Sequence, residues 1–362
     1  MADIKILLLA AKDGYGFVNQ AKALSKGLDK LEVQNRVIRV TKKYPEEEIL
    51  KYEPSVVVGV GSWHSYPELV KRPQQLGFRI LPWLVSDDRV DNFVEELNDL
   101  NFFLTTSNHC RNVFVKSGVK QEKMNILYEA VDTDFWKEIP SNDLDNFLNL
   151  ISIREEGIEI PPNYDLIKIK QKRIPILFTT GGDATNKGAQ EILKALALLD
   201  QKIPWLYIIK TWPSPGSFRR SAEELQIAIK GGMWEKVRYF SGEFSKEFIR
   251  NLMNVCDIYV ACSRSEGFGL PLVEAQLCGK PVVTMKATST QEVVEDGVGG
   301  LFCQSVITEK GPRADVEDLS KVLKRVLTSE ELRRAMGNKA RQWAVSKFTP
   351  EKIASELLNY IK

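Results

Sequence analysis

Cysteine gives this chain little to build on. Cys110, Cys256, Cys262, Cys278 and Cys303 are scattered over 362 positions, odd in number and without a C-x-x-C pair. That pattern excludes a disulfide framework and a cysteine zinc site. Reduced thiols packed as small hydrophobes are expected, in keeping with a cytoplasmic chain. An excess of one charge is also missing. Fifty Lys and Arg stand against 48 Asp and Glu, a formal +2, so no bulk field argues for a nucleic acid partner. No run of about 18 uninterrupted apolar residues occurs, which argues against a transmembrane helix. The opening MADIKILLLAAKDGYG lacks a basic n-region and a small-residue cleavage site. It reads as a buried strand and not as a signal peptide. There is no repeat of solenoid period. A G-x-G-x-x-G fingerprint is absent too: Gly14-Tyr15-Gly16 is followed by Phe, Val and Asn, which counts against a nicotinamide-dependent oxidoreductase.

What is present is an ordinary globular composition, 43% hydrophobic and 27% charged, in a chain too long for one comfortable core. Two domains are therefore expected. Ile4–Ala10 is a continuous apolar run, the mark of a strand buried on both faces. A glycine loop (Gly14, Tyr15, Gly16) and a helical pattern over 17–31 follow it. That loop suits either a structural turn or a ligand approaching the backbone. Strand patterns at 33–40, 55–61, 78–85, 101–106 and 125–128 alternate with helical ones at 64–71, 91–100 and 110–117, which implies a parallel sheet with helices on both faces. Residues 136–172 break this rhythm with Pro140, Pro161 and Pro162. The alternation then restarts at 174–179 and runs to two long C-terminal helices separated at Thr349-Pro350.

The densest chemistry lies in SRSEGFGLPLVEAQLCG, residues 263–279. Glu266 and Glu274 are eight positions apart, with Gly267-Phe268-Gly269-Leu270 between them. Pro271 suits the first turn of a helix and Gly279 the position just past its end. A glycine loop that opens a helix presents free backbone N–H groups and a positive dipole end, which suits a diphosphate. Carboxylates beside it can accept hydrogen bonds from sugar hydroxyls. An ordinary β-loop-α turn with solvated carboxylates is the structural alternative.

Two α/β domains in tandem with this Glu-x7-Glu run resemble the retaining glycosyltransferases of family 4, which have the GT-B fold. The residues that carry the resemblance are EGFGLPLVEA at 266–275, GKPVV at 279–283, Asn186-Lys187-Gly188 and Gln291-Glu292-Val293-Val294 followed by Gly297. Weaker phrases are Thr106-Ser107, residues 115–119 and Val131-Asp132. The resemblance implies two Rossmann-like, doubly wound parallel-sheet domains facing across a cleft. Their expected bounds are 1–140 for the acceptor side, 141–172 for a connection and 173–345 for the nucleotide-sugar domain. A helix at 346–362 would cross back to the first domain. The implied reaction moves a hexosyl unit from a UDP- or GDP-linked sugar to a glycan, lipid-linked or protein acceptor, with retention and without a metal or other cofactor. Glu266 would hold sugar hydroxyls, Gly267 to Leu270 would meet the sugar and distal phosphate, Glu274 would take the ribose and Lys187 would neutralise the leaving diphosphate.

The chain departs from that pattern in two places. The Arg usually found five or six residues before the phosphate Lys falls here on Gly182 and Gly181. Gly182 is counted with the donor loop, and Lys210, at the end of the next strand, is either a compensating cation or a solvated strand-end charge. The usual first-domain His is also absent near 82–88, leaving His64 and Asp87 as cleft candidates with Gly14, Tyr15 and Gly16. These departures motivate a second reading, a catalytically weak or inactive binding protein for a sugar nucleotide or partner on the same scaffold. Asp132-Thr133-Asp134 spells a metal-binding D-x-D but sits inside the Val-Asp phrase, so it is taken as structural. Seven Lys and Arg between Lys22 and Lys43 suit a solvated face or a peripheral contact with anionic lipid.

Overall fold

The computed structural model describes residues 4–12, 15–153, 162–181, 187–211, 218–309 and 311–361. The chain forms two compact units, 1–135 with 345–362, and 136–344. Gly14 and Gly182 lie outside the described residues.

In the first unit β1 (Ile6–Ala10), β2 (Asn35–Arg39), β3 (Val56–Ser62), β4 (Ile80–Val85), β5 (Phe103–Thr105) and β6 (Met124–Ile126) form one parallel sheet. Its order is β2-β1-β3-β4-β5-β6. The uninterrupted apolar run of β1 is fully buried, as a central strand covered on both faces must be. One face packs Leu8, Val58 and Trp83 against Leu24 and Leu28 of helix Tyr15–Lys30 and against Ile353 and Leu357 of helix Pro350–Ile361. These two helices approach so closely that a side chain on Gly27 would run into the Pro350 carbonyl. The other face holds Leu7, Leu9, Val57 and Phe103. Each such aliphatic side chain contributes about 1.5–3 kcal/mol by burial.

In the second unit β7 (Ile176–Thr180), β8 (Leu206–Thr211), β9 (Val237–Ser241), β10 (Ile258–Ala261), β11 (Val282–Met285) and β12 (Gly300–Cys303) form a second six-stranded parallel sheet. The order is β12-β11-β10-β7-β8-β9. β7 starts in the middle, the chain winds out to β9, then returns to β10 on the other side. The crevice at β7/β10 is therefore the topological switch point, where open α/β sheets place ligands. Helix Val316–Thr328 begins where Asp315 caps the Asp318 N–H at 3.0 Å, and it buries Leu319, Leu323 and Val326 against the sheet. All five cysteines are buried and unbridged.

Residues 141–172 are not a bare connection. Helices Ser141–Ile151 and Leu166–Gln171 belong to the second unit. Phe147 packs edge-on to Phe248 with ring centres 5.2 Å apart. Arg238 donates to the Ile151 and Tyr164 carbonyls, and Asn163 donates to Val237 O at 2.6 Å. Pro140 caps the first of these helices and Pro162 opens a 3-10 turn before the second. Two further elements carried no clear period, the short helix Glu46–Tyr52 and an antiparallel hairpin of β13 (Ser305–Thr308) and β14 (Gly311–Ala314). The span 64–71 is a 3-10 turn (Trp63–Ser65) followed by a π turn (Pro67–Lys71), not a regular helix. Among the described residues no helix is long and apolar enough to cross a membrane.

Candidate active site

β10 ends at Ala261 and the chain turns through Ser263–Gly269 into helix Leu270–Leu277. Gly269 caps that helix with φ 105°, a conformation that favours glycine, and its carbonyl accepts from Leu272 N at 2.9 Å. Pro271 sits in the first turn, where its missing N–H leaves nothing unsatisfied. Ser289 ties the loop down by donating to the carbonyls of Glu266 and Phe268 at 2.8 and 2.9 Å. Sequence reading missed Ser289, because nothing local marks a serine 20 residues downstream as a loop fastener.

The loop after β7 is stitched to the same turn. Lys187 O accepts from Cys262 N at 2.9 Å. Gly188 follows with φ 74°, and a side chain there would strike the Cys262 carbonyl. The backbones at the switch point thus touch, and the side chains meet above them. The Lys187 ammonium is ion-paired and hydrogen-bonded to Glu266 Oε2, with side chains only 20% and 14% exposed. In such partial burial a charge pair is screened less than at an open surface.

Glu274 lies one turn into the helix and keeps some exposure as a residue. Burial of its carboxyl pushes its pKa up to about 7, and the nearby ammonium groups of Lys246 and Lys187 oppose that rise without cancelling it. Lys246 opens helix Lys246–Val255 and its ammonium lies 5.8 Å from the Trp136 ring centre. Its link to Glu274 was invisible in sequence, where 28 positions separate them. Beside the site Glu191 is buried. Burial alone would raise its pKa, but the guanidiniums of Arg264 at 2.7 Å and Arg313 at 3.0 Å hold it below the usual carboxylate range. This cluster fixes the base of the loop.

Lys210 is not a solvated strand-end charge. It is 3% exposed, paired in register with Thr180 of β7, and its carbonyl accepts from Gly181 N at 2.8 Å. Lys210 therefore belongs to the interior of the switch-point edge. Gly267, Phe268, Gly269 and Leu270 lie in or at the end of the loop, with Phe268 only 2% exposed.

The first-unit candidates also gather at the C-terminal edge of their sheet. Gly16 follows β1 within the first turn of helix Tyr15–Lys30, His64 follows β3 and Asp87 follows β4. His64 is exposed and stacks on Trp63 with ring centres 3.7 Å apart. Asp87 is exposed, and its backbone carbonyl meets His109 Nε2 at 3.2 Å. The D-x-D is structural. Asp132 Oδ1 accepts from the N–H groups of Asp134 and Phe135, both at 3.1 Å, and from Lys26 at 2.8 Å. Asp134 pairs with Lys26 and Lys30, and Lys30 also pairs with Glu351. Four of the seven cations in 22–43, Lys26, Lys30, Arg36 and Lys43, are held in ion pairs with described residues. Among the described residues no cluster of three or more His, Cys, Asp or Glu could hold a metal ion.

With this geometry in view, residues 166–343 match the family described as Glycosyl transferases group 1. The chain is 26% identical over 251 residues to the D-inositol 3-phosphate glycosyltransferase of Saccharomonospora viridis, covering 68% of this chain and 54% of that protein. It thus spans about half the length of that relative. The lipopolysaccharide glucosyltransferase WaaG of Escherichia coli is 27% identical over 209 residues, 56% of this chain and 52% of that one. Among solved structures, Anabaena Alr3699/HepE in complex with UDP and glucose superposes with a TM-score of 0.73 at 17% identity, over 99% of both chains. The fold is GT-B, with two Rossmann-like α/β domains, as expected from sequence.

Proposed function

We propose that the protein is a retaining glycosyltransferase that moves a hexosyl unit from a UDP- or GDP-linked sugar to a carbohydrate-type acceptor without a metal ion. The observation that carries this reading is the Lys187–Glu266 pair with Glu274 at the β7/β10 switch point of a group 1 segment. A diphosphate bound at the helix opening would take the Lys187 ammonium from Glu266, freeing that carboxylate to accept from sugar hydroxyls. Negative charge grows on the leaving diphosphate as the glycosidic bond breaks, and the Lys187 ammonium would neutralise that charge. Backbone N–H groups at Gly269 and Leu270 add the positive end of the helix dipole. Glu274, with its carboxyl titrating near neutrality, would accept from the ribose hydroxyls when ionised.

The test is a panel of UDP- and GDP-sugars assayed for thermal stabilisation and for turnover, with and without EDTA. A bound donor raises stability according to its affinity. Turnover with retained anomeric configuration that survives EDTA supports the proposal. Donor stabilisation without transfer or hydrolysis, unchanged in Glu266→Gln, would identify a binding protein instead.

A further inference from the structure

The opposite edge of the second sheet carries a cavity that plays no part in this chemistry. It opens where β7, β10 and β11 begin, and its volume is about 350 Å³, within the usual range for small-molecule sites of roughly 300–1,000 Å³. Five cations line it, Lys170, Arg173, Lys280, Arg333 and Arg334, against two carboxylates, Asp257 and Glu330. Asp257 is already committed. It accepts from Lys170 at 3.1 Å and from Ile176 N at 2.8 Å, so its charge is neutralised and its oxygens serve the sheet edge.

The remaining cations are positioned without being neutralised. Arg333 donates to the carbonyls of Val326 and Leu327 at 2.7 and 2.9 Å, and Lys280 donates to Asn254 O at 2.9 Å. Carbonyls orient these groups but leave their charge in place. The side chains of Arg173 and Arg334 are exposed and make no ion pair or hydrogen bond to another described residue. Close packing defines the wall beside them. A side chain on Gly337, one turn beyond Arg333 in helix Glu330–Phe348, would strike the Gly279 carbonyl.

We infer that this cavity binds a small phosphorylated anion, one carrying one or two phosphoryl groups, at a site separate from the Lys187 edge. Arginine forks suit phosphoryl oxygens because they offer paired donors in one plane. The strands that separate the two edges are four or five residues long, about 15 Å at roughly 3.3 Å per residue. Occupancy here would therefore not compete directly with a ligand at Lys187.

Sodium pyrophosphate is the probe, titrated in a thermal-shift assay against potassium chloride at matched ionic strength. Since pyrophosphate also suits the opposite edge, the titration is repeated in Lys187→Ala. The expected result is saturable stabilisation that persists in Lys187→Ala and weakens roughly tenfold in apparent affinity in Arg173→Gly/Arg334→Ala. Glycine suits the left-handed backbone at residue 173, φ 53°. Arg334→Ala alone, on an exposed helix face, gives a second reading free of any turn effect and is expected to weaken binding about threefold. Wild-type affinity in both Arg variants overturns the inference, as does an equal shift with potassium chloride. Stabilisation lost in Lys187→Ala would assign the effect to the other edge and likewise overturn it. Inorganic phosphate in place of pyrophosphate separates a one-phosphoryl from a two-phosphoryl ligand.

Discussion

The two sheets are built alike, yet their C-terminal edges hold charge in different ways. In the first unit His64 and Asp87 stand exposed at the ends of β3 and β4. In the second, Lys187, Glu266 and Lys210 are partly or fully withdrawn from water, and Glu274 titrates near neutrality. One architecture thus supports a wet edge and a drier one. The difference comes from the loops. The 187–188 backbone is stitched to Cys262 and the 266–268 backbone to Ser289. Fixed, partly desolvated charges interact more strongly than solvated ones and need little reorganisation when a charged ligand arrives.

The sharpest way to break this contrast is Lys187→Ala. Turnover with the best nucleotide sugar is expected to fall about 10²–10³-fold, measured as kcat at saturating donor. Activity equal to wild type would remove Lys187 from the leaving-group role. Gly188→Ala tests the stitching. A Cβ there meets the Cys262 carbonyl on a left-handed backbone, so a loss of about 3 kcal/mol is expected in chemical denaturation.

Glu274→Gln probes the drier edge through pH. A carboxyl raised to about 7 in the folded state contributes stability below its ordinary unfolded value and loses it as pH rises through about 7. The Gln variant should therefore gain on the order of 2 kcal/mol relative to wild type between pH 5 and pH 8. A parallel pair of stability–pH curves would refute the burial argument. Wild type is expected to show a rise in donor KM as pH falls below about 7, and the Gln variant is expected to lose it.

Asp132→Asn addresses the acidic pair on the first unit. Removing a charge that caps two N–H groups and pairs with Lys26 should cost about 1 kcal/mol, read from denaturant midpoints, with kcat unchanged. The smallest effect is expected for His64→Ala. An exposed side chain that stacks on Trp63 and meets Ser62 Oγ at 3.4 Å should change kcat by less than about threefold when removed. A large loss would show that the wet edge does chemistry after all.

Much of this arrangement could be read from the residues in order. The buried run at β1, the glycine and proline around helix Leu270–Leu277 and the spacing of Glu266 and Glu274 are local features. Residues 141–172 read as a connection because the packing of helix Ser141–Ile151 against Phe248 and Arg238 depends on residues far away in the chain. Lys210 was misread because a charged strand end looks solvated until its neighbours are known.

By itself, the sequence determined the two parallel sheets, the helix-opening loop and the spacing of its two carboxylates, since each rests on periodicity or on spacing within a few residues, whereas a family resemblance alone picked out Lys187. Tertiary structure alone decided that Lys187 meets Glu266, that Ser289 fastens their loop, that Lys246 lies near Glu274 and that five cations gather at the far edge. Those residues come from loops and helices separated by tens of positions. Only the winding of the sheet from β7 out to β9 and back to β10 brings them to common edges, and charge acquires its strength there from the water that packing removes.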